Sequence, residues 1–564
     1  MIDILIVLGL FLVIAIPLGK YLYHITAKEK TFADPLFDRV DRFLFRLCGI
    51  KDEAMNWKQI AGALLLVNAT MMILGFLILK VQEVLPFNPN GSTSMEGSLA
   101  FNTVISFMTN TNLQHYAGES ALSNLSQMLV IVFLMFTSAA SGLAVAMATM
   151  RGFSGKFSSL GNFYEDVIRI LTRVLLPLSL LIGVILVSQG VIQNFSPTLT
   201  IQTLEGAYQN IAMGPVAALE AIKNLGTNGG GFFAANAAHP FENPSVVTNI
   251  IEMVSMMAIP GACVVAFGWM VRKNKRESWL KNQATVLFAV MGVLLIFSIV
   301  LISWSERSAN PLTQGLNIQQ AIGNMEGKEI RFGITHSSLF AAITTAFTTG
   351  AVNTMHDSLM PLSGLSTLLN MMLNLVFGGK GVGLINMLLY VLLTVFICGL
   401  MVGRTPEYLG KKIEAKETKL TALAIIIHPL LILAGTALAV VLSVGLSGIS
   451  NPGSHGLSQI LYEFASSAAN NGSGFEGLID NTAFWNIATG VVMVGGRYIS
   501  IVIALAIAGS LSKKPVVSES IGTLQTNTMT FGGSLLMIIV IIAALTFLPV
   551  LVLGPISEHL MLFR

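Results

Sequence analysis

Long apolar runs alternate with shorter polar connections along the whole chain. A helix needs about 20 mostly apolar residues to cross the ~30 Å hydrocarbon core of a bilayer. Ten runs approach or exceed that length, near residues 2–24, 57–80, 125–150, 168–190, 247–271, 283–303, 362–402, 420–447, 483–511 and 532–556. The seventh is about twice the usual length and is interrupted by a glycine-rich stretch at 378–383. The pattern predicts an all-α polytopic membrane protein with ten spanning helices, the seventh of them broken.

Composition supports this interpretation. Of 564 residues, 54% are hydrophobic and 11% are charged, whereas a soluble domain is about 25% charged. A net charge of +3 is too small for a chain of this length to indicate nucleic-acid binding. The three cysteines, Cys48, Cys263 and Cys398, are far apart in sequence and indicate neither a disulfide framework nor a metal cluster.

Basic residues are concentrated in alternate connections. Since cytoplasmic loops carry an excess of Lys and Arg, the connections near 25–56, 151–169, 272–282, 403–419 and 512–531 are predicted to be cytoplasmic. The intervening connections contain only Lys223, Arg307, Lys328 and Arg331. With an even number of spans, both termini are then predicted to be extracytoplasmic.

The four long outer connections, 81–124, 191–246, 304–361 and 448–482, share one design. In each, a short apolar helical run is followed at once by a small polar turn. We call these turns 1 to 4; they are residues 109–114 (TNTNLQ), 227–232 (TNGGGF), 348–353 (TTGAVN) and 470–475 (NNGSGF). Aligning Asn112, Gly229, Gly350 and Gly472 gives intervals of 117, 121 and 122 residues. A recurring period of this kind predicts a fourfold repeat of span, re-entrant pore helix, filter loop and span.

The repeat divides the chain into six predicted regions. Residues 1–56 hold a first additional span and an amphipathic linker, and residues 531–564 hold a last additional span. The four repeats are predicted at 57–167, 168–280, 281–419 and 420–530, and the third contains the broken helix.

The polar turns have the chemistry of a site for a dehydrated monovalent cation. Backbone carbonyls replace the hydration shell of potassium well, and aligned carbonyls require residues that accept a positive φ, as glycine does freely and asparagine more readily than most. Asn112, Gly229, Gly350 and Gly472 are the expected residues. Flanking neutral groups are expected to hold the turns in shape: Asn110, Thr111, Thr227, Asn228, Thr348, Thr349, Asn470 and Asn471. The alternative is that these are ordinary turns between helices, which four copies in register disfavour.

The glycine-rich interruption in the seventh span is a candidate gate. It comprises Gly378, Gly379, Lys380, Gly381, Val382 and Gly383. A flexible loop with a lysine below the ion site could obstruct the pathway, and the alternative is a helix kink with a snorkelling lysine. Arg497, well inside the ninth span, either opposes cation flow or pairs internally.

Titratable residues also occur in the outer connections, namely His115, His239, His336, His356, Asp357, Glu463 and Asp480. The acidic members could concentrate cations at an entrance, although a solvated loop surface is the favoured interpretation. The histidines have no HExxH or comparable ligand spacing.

No motif for energy coupling is present in the sequence. The stretch Gly152–Phe157 fails the GxxxxGK[ST] spacing of a phosphate-binding loop. There is no Asp-Lys-Thr-Gly stretch for a phosphorylated aspartate either. If ATP drives transport, another chain must hydrolyse it.

Five stretches closely resemble the potassium-binding A-subunit family of the bacterial Kdp potassium-transporting ATPases: TNTNLQHY from Thr109, LGTNGGGFFAANAAHPFENP from Leu225, FTTGAVNTMHDS from Phe347, GRTPEYLGKKIE from Gly403 and ANNGSGFEGL from Ala469. The resemblance extends over essentially the whole chain. It implies a non-catalytic, multi-pass protein of the bacterial cell membrane that binds the potassium ion at the four turns, with Gln114 beside the first.

The resemblance also implies that the loop 378–383 blocks passage to the cytoplasm. Ions are then diverted through an intramembrane tunnel to the catalytic P-type ATPase chain, the B subunit. The C subunit and a small membrane peptide, the F subunit, complete the complex. Arg404 and Arg497 match arginines of the family's pathway or of its contact with the catalytic chain. The alternative is a stand-alone potassium transporter of the Trk, Ktr or HKT kind, which would share the fourfold repeat.

Overall fold

The computed structural model describes residues 2–51, 53–157, 159–272, 278–316, 323–401, 403, 405–517 and 524–564. Its described part has ten helices long and apolar enough to cross a membrane, as predicted. Spans 1 to 10 are Ile2–Thr26, Trp57–Val84, Asn124–Ser154, Phe163–Ser188, Val246–Val271, Gln283–Thr313, Val382–Met401, Ala415–Val441, Ala483–Leu511 and Met529–Leu562.

Four shorter helices stand in the outer connections where the sequence predicts them. Short helices 1 to 4 are Gly97–Met108, Val216–Leu225, Gly333–Ala346 and Ser454–Ala469. Each follows an even-numbered span and ends at one of the four polar turns. The order of span, short helix, turn and span therefore occurs four times. The residue boundaries of the four repeats remain a prediction from the sequence.

The third unit departs from the others because its second span is broken. The helix Pro361–Leu373 ends at Asn374, whose left-handed backbone (φ 48°) stops it, and span 7 begins only at Val382. The predicted interruption is thus a loop between two separate helices; residues 378–381 end that loop, and Val382 and Gly383 begin span 7.

Local sequence signals set several helix ends. Asn56 begins span 2 with a capping box: its side chain accepts the Lys58 and Gln59 N–H groups, and the Gln59 side chain accepts the Asn56 N–H. Ser245 begins span 5 in a similar way with Thr248. Spans 3, 4, 9 and 10 each contain a wider π-helical turn, at Gln127–Val132, Leu171–Leu175, Gly495–Ile499 and Val552–Ile556.

Burial divides the spans into inner and outer helices. In the most apolar window of spans 3 and 5, 78% and 89% of residues are buried, against 22% for spans 1 and 10. Span 1 packs closely on span 5, because a Cβ at Gly19 would lie 2.8 Å from the Ala262 carbonyl oxygen and one at Gly261 would overlap the Phe11 ring. Spans 3 and 5 form the buried centre; span 1 covers span 5, whereas span 10 packs on spans 6 and 7.

The remaining described elements lie in the connections. The amphipathic helix Asp34–Leu47 is held to span 4 by Arg173, which pairs with Asp34, Asp38 and Asp41. Two small antiparallel hairpins pair Leu199–Gln202 with Tyr208–Ile211 and Glu407–Tyr408 with Lys411–Lys412. Other short helical segments are Gly118–Ala121, Asn236–Ala238, Trp279–Lys281, His356–Ser358 and Ser443–Leu446, while Gln82–Val84 and Pro311–Leu316 continue the ends of spans 2 and 6.

Candidate ion-binding site

The four short helices end in the same backbone motif. The N–H groups of Thr111, Asn228, Thr349 and Asn471 each donate to the carbonyl oxygen five residues earlier, at 2.8 to 2.9 Å. Such a bond closes a Schellman motif, in which the residue just before the donor is left-handed. The four helix ends are therefore built alike, although their sequences differ.

That preceding residue has a positive φ in all four turns. The values are 62° at Asn110, 46° at Thr227, 50° at Thr348 and 55° at Asn470. These positions have the same intervals as the sequence alignment. A β-branched threonine is rare in this region of backbone space, and strain of on the order of 1–3 kcal/mol per residue is typical of functional sites.

The turns meet one another in a closed ring. A Cβ at Gly350 would overlap the Asn471 carbonyl oxygen, and one at Gly472 would overlap the Thr111 carbonyl oxygen. A Cβ at Gly229 would lie 3.1 Å from the Thr349 oxygen and 3.2 Å from the Thr111 oxygen. Each turn therefore contacts the next, in the order 1, 2, 3, 4 and back to 1, and a backbone carbonyl lies at each contact. The turns can approach this closely because the glycines have no side chain.

One expectation about these glycines is wrong. Asn112, Gly350 and Gly472 have positive φ values of 58°, 85° and 106° and are the second left-handed residue of their turns, but in turn 2 that second residue is Gly230, at 70°, and not Gly229. Glycine at 229 is instead favoured by the close approach of turns 1 and 3, which leaves a Cβ only 3.1–3.2 Å from their atoms. Two of the three consecutive glycines therefore have different roles: Gly229 allows the close approach of the turns, and Gly230 provides the positive φ.

Side-chain amides join neighbouring turns. Asn110 Nδ2 donates to the Thr227 carbonyl at 2.7 Å, and Asn470 Nδ2 donates to Thr111 Oγ1 at 2.9 Å. Gln114 exchanges two bonds with Gly231, accepting from its N–H at 2.8 Å and donating to its carbonyl at 3.1 Å. The structure therefore brings these predicted residues together as ties between repeats.

Several buried polar atoms around the ring have no hydrogen-bond partner. Both amide atoms of Asn112 are unpaired, as are Thr349 Oγ1 and Asn353 Oδ1. Buried polar groups normally have a hydrogen-bond partner. Unpaired oxygens here are therefore consistent with a region that binds a polar molecule or a cation. Asn228 lies behind the ring instead, with Nδ2 3.4 Å from the Met135 and Ile222 carbonyls.

The candidate gate lies directly against one side of the ring. A Cβ at Gly379 would lie 3.0 Å from Thr227 Oγ1 and 3.6 Å from the Thr348 carbonyl oxygen. The Lys380 N–H donates to Thr227 Oγ1 at 3.3 Å, and its Nζ donates to the Thr227 carbonyl at 3.4 Å. Gly378 and Gly381 have φ values of 61° and 98°, so this tight loop needs its glycines.

Arg497 approaches the same loop from the π-helical turn of span 9. A Cβ at Gly142 would lie 2.7 Å from Arg497 Nη2 and 3.3 Å from Lys380 Cγ, so both cations flank one glycine. Arg497 Nη2 donates to the Ser138 carbonyl at 3.3 Å, and Nε has no partner. Neither cation pairs with a carboxylate among the described residues, and the internal partner of Arg497 is the Ser138 carbonyl. Arg404 lies outside the described residues.

A cavity begins beside the gate. Asn374, Val382, Asn470 and Arg497 are among the residues that line it. Other lining residues belong to spans 8 and 10, including His428, Ala543 and Phe547. The cavity therefore lies next to the gate and is bounded by residues of spans 7 to 10.

The outer titratable residues differ from the favoured sequence interpretation. His115, His356 and Glu463 are buried rather than solvated. Burial lowers the pKa of His356 to about 3, with the Lys328 ammonium acting in the same direction. Connections of this length fold back over the short helices, so a polar sequence does not imply a solvated surface.

A buried charged cluster behind turn 2 was not predicted. Lys223 Nζ lies 2.6 Å from Glu220 and 3.0 Å from Glu242, and all three side chains are fully buried. Glu242 also accepts the Phe233 N–H at 2.7 Å. The signal available in the sequence was a Glu and a Lys three residues apart within the apolar stretch VAALEAIKNL.

Four units of span, short helix, turn and span around a ring of backbone carbonyls define a channel-like membrane transport protein. The fold is similar to the crystal structure of the potassium transporter TrkH from Vibrio parahaemolyticus, with a TM-score of 0.53, 14% sequence identity and coverage of 87% of this chain and 97% of that one. Within this class, the chain belongs to the family of the potassium-transporting ATPase A subunit, whose family model matches residues 5–560.

Curated relatives match over the full length. The chain is 54% identical over 561 residues to the potassium-transporting ATPase potassium-binding subunit of Clostridium acetobutylicum, covering 99% of both chains. It is 55% identical over 552 residues to the protein of the same name from Geobacillus kaustophilus, covering 98% of this chain and 97% of the relative.

Proposed function

We propose that this chain is the potassium-binding and translocating component of an ATP-driven potassium uptake complex. The observation that carries the proposal is the closed ring of turns 1 to 4. Carbonyl oxygens from several turns can replace the hydration shell of a potassium ion, and no carboxylate belongs to the turns to favour a divalent ion. The relatives' names, which describe a potassium-binding subunit, agree with this chemistry.

The predicted site residues take two roles in this proposal. Backbone carbonyls at Thr111, Asn112, Gly229, Thr349, Gly350, Asn471 and Gly472 offer ligands, together with the unpaired side-chain oxygens of Asn112 and Thr349. Asn110, Gln114, Thr227 and Asn470 hold the turns in register, while Asn228 and Thr348 bind groups behind the ring. The strained backbone at Thr227 and Thr348 is retained because the Schellman motifs and cross-turn bonds fix it.

Below the ring, Lys380 and Arg497 oppose straight-through flow of cations in this proposal. Two buried cations without carboxylate partners among the described residues raise the electrostatic cost of another cation at that level. The cavity beside Asn374 and Val382 is the start of the lateral tunnel. Potassium then leaves toward the ATPase partner instead of entering the cytoplasm directly.

We propose for this chain the partners and the location that its resemblance to the family implies. ATP is hydrolysed by the P-type catalytic chain, the B subunit, while the C subunit and the small membrane peptide, the F subunit, complete the complex. The chain is a multi-pass protein of the bacterial cell membrane, with both termini extracytoplasmic and the basic connections in the cytoplasm. The supporting observations are the ten apolar spans and the alternating distribution of Lys and Arg.

Reconstitution with and without the ATPase partner tests the proposal. The isolated chain in liposomes is expected neither to hydrolyse ATP nor to accumulate potassium against a gradient, while the complex does both. Active accumulation by the chain alone would instead support the stand-alone Trk, Ktr or HKT alternative.

Gly229→Asp in the assembled complex tests the site. An added carboxylate would crowd the Thr111 and Thr349 carbonyls, so the half-saturating potassium concentration should rise and discrimination against rubidium should fall. Unchanged values for both would remove turn 2 from the site.

A further inference from the structure

Three side chains from distant parts of the sequence converge on the outer side of the ring. His115 follows turn 1, Glu463 lies on short helix 4, and Asp480 lies in the connection after turn 4. His115 Nε2 is 3.2 Å from Glu463 Oε1 and 3.7 Å from Asp480 Oδ2. The three potential ligand atoms all lie within 4.8 Å of one another.

The other ring nitrogen of His115 has its own partner. Nδ1 lies 2.7 Å from Asn486 Oδ1, while Asn486 Nδ2 donates to Ser98 Oγ at 3.1 Å. This arrangement turns the amide oxygen toward the imidazole, so Nδ1 carries a proton and donates it. Metal-binding histidines are commonly oriented by such a bond through their second nitrogen.

Both carboxylates face the same histidine nitrogen. At His455, by contrast, Nδ1 meets Glu558 at 2.8 Å and Nε2 meets Asp357 at 3.0 Å, so each carboxylate has its own N–H. A single proton on His115 Nε2 cannot point at both Glu463 and Asp480. A cation between the three atoms would interact with all of them.

The two distances from His115 Nε2 suit a transition metal. Ligands at 2.0–2.2 Å from a tetrahedral zinc ion are about 3.4 Å apart, close to the two distances from His115 Nε2. A neutral imidazole and two carboxylates would balance a divalent charge. Among the described residues, no Lys or Arg forms an ion pair with either carboxylate.

The burial of the three side chains and their access to solvent are also appropriate for a metal site. The side chains of His115 and Glu463 are 0% and 2% exposed, whereas that of Asp480 is 29% exposed. Two ligands are therefore shielded from water, and the third is open to the outer solution. That opening provides an entry path and room for a water as fourth ligand.

We propose that His115, Glu463 and Asp480 form a binding site for a divalent transition-metal ion, for which zinc is the appropriate probe. A bound ion would connect the first and fourth repeats on the outer side of the ring. A proton on His115 Nε2 is the competing occupant, and it leaves a purely hydrogen-bonded cluster.

The test uses the full chain, purified without a histidine tag and treated with a chelator. Zinc retained after equilibrium dialysis is measured by mass spectrometry, together with the thermal midpoint. One zinc per chain is expected, with a midpoint that rises with zinc concentration. His115→Gln and Asp480→Asn should each lose that zinc and the shift, and Asn486→Ala should weaken zinc affinity by about 10–100-fold.

His455→Gln is the matched control. It also removes a histidine that lies between two carboxylates, but there each carboxylate contacts a different ring nitrogen. It should retain the full zinc content. No retained zinc in the wild-type chain, or equal zinc in wild type and both ligand variants, would overturn the proposal. Asp480→Asn is the decisive variant if His115→Gln does not fold, since Asp480 is partly exposed and its replacement has the same size.

Discussion

The Asn110 side-chain amide donates to the Thr227 carbonyl oxygen at 2.7 Å, and thereby joins turn 1 to turn 2. Ser138 Oγ donates to Asn110 Oδ1 at 2.9 Å, which fixes the orientation of the amide. The same Thr227 carbonyl accepts from Lys380 Nζ at 3.4 Å. One carbonyl therefore connects two repeats of the candidate ion site with the candidate gate.

Replacing Asn110 by Ala should weaken potassium binding more than it weakens folding. The variant leaves the Thr227 carbonyl without its amide donor and loosens the contact between turns. Loss of a buried hydrogen bond costs about 1–3 kcal/mol, so the half-saturating potassium concentration of the complex should rise by about 5- to 160-fold. Asn451→Ala, at an exposed position, is the control and should leave potassium dependence unchanged. Equal potassium dependence in the two variants would contradict the proposal that the hydrogen bond between Asn110 and Thr227 supports potassium binding.

Gly472→Ala should be among the most damaging single-methyl changes in the ring. Its φ of 106° disfavours any side chain, and a Cβ there would overlap the Thr111 carbonyl oxygen. We expect loss of potassium-stimulated ATPase activity in the complex while the chain still inserts and assembles. Gly292→Ala, where a Cβ meets nothing within 4 Å, is the matched control. A normal potassium response in Gly472→Ala would show that the ring tolerates a displaced turn.

Lys380→Met should open a leak. The substitution keeps an unbranched side chain of similar length but removes the buried positive charge below the ring. Passive potassium flux through liposomes containing the variant chain is expected to exceed the wild-type flux, and in the complex the potassium moved per ATP should fall. Lys58→Met, on the exposed start of span 2, controls for the loss of a lysine. Flux equal to that of the wild type would argue that the loop, and not its charge, blocks the pathway.

The His455 cluster predicts a stability that falls at alkaline pH. Burial opposes protonation of His455, but hydrogen bonds with Asp357 and Glu558 outweigh it and raise the pKa to about 10. Since the unfolded pKa is near 6.5, the stabilisation is fully present below pH ~6.5 and is lost as pH rises through about 10. The loss is on the order of a few kcal/mol.

Thermal midpoints of the purified chain between pH 6.5 and 10 measure this effect. The wild-type midpoint should fall more steeply than that of His455→Gln, which cannot titrate. Parallel curves for the two proteins would exclude His455 as the group responsible.

The apolar runs and the fourfold interval were sufficient to predict the spans and short helices. A run of about 20 apolar residues can hardly be anything but a spanning helix, since the unpaired backbone of other structures is too costly in a membrane. The interruption at 378–383 was visible for a related reason, because glycines seldom cluster inside a helix. Arg497 was likewise conspicuous as a charge inside an apolar segment.

Other features depended on contacts between residues far apart in sequence. In sequence Gly229 is equivalent to Gly350 and Gly472, yet its backbone differs, because turn 2 places its second left-handed residue one position later, at Gly230. The sequence did not reveal the burial of His115 and Glu463, because polar residues in a connection are usually exposed to solvent. The pairing of Lys223 with Glu242 links residues in different segments, and composition alone does not reveal such a pairing.

The sequence by itself determined which segments lie in the membrane, where the four turns occur and which residue types they offer, because these follow from local apolar length and a repeated interval. Only the tertiary structure decided that the turns close into one ring, that the loop with Lys380 lies against it, and that buried acids and histidines gather outside it. Those arrangements depend on how ten helices pack against one another, and packing partners are not encoded in any single stretch of the chain.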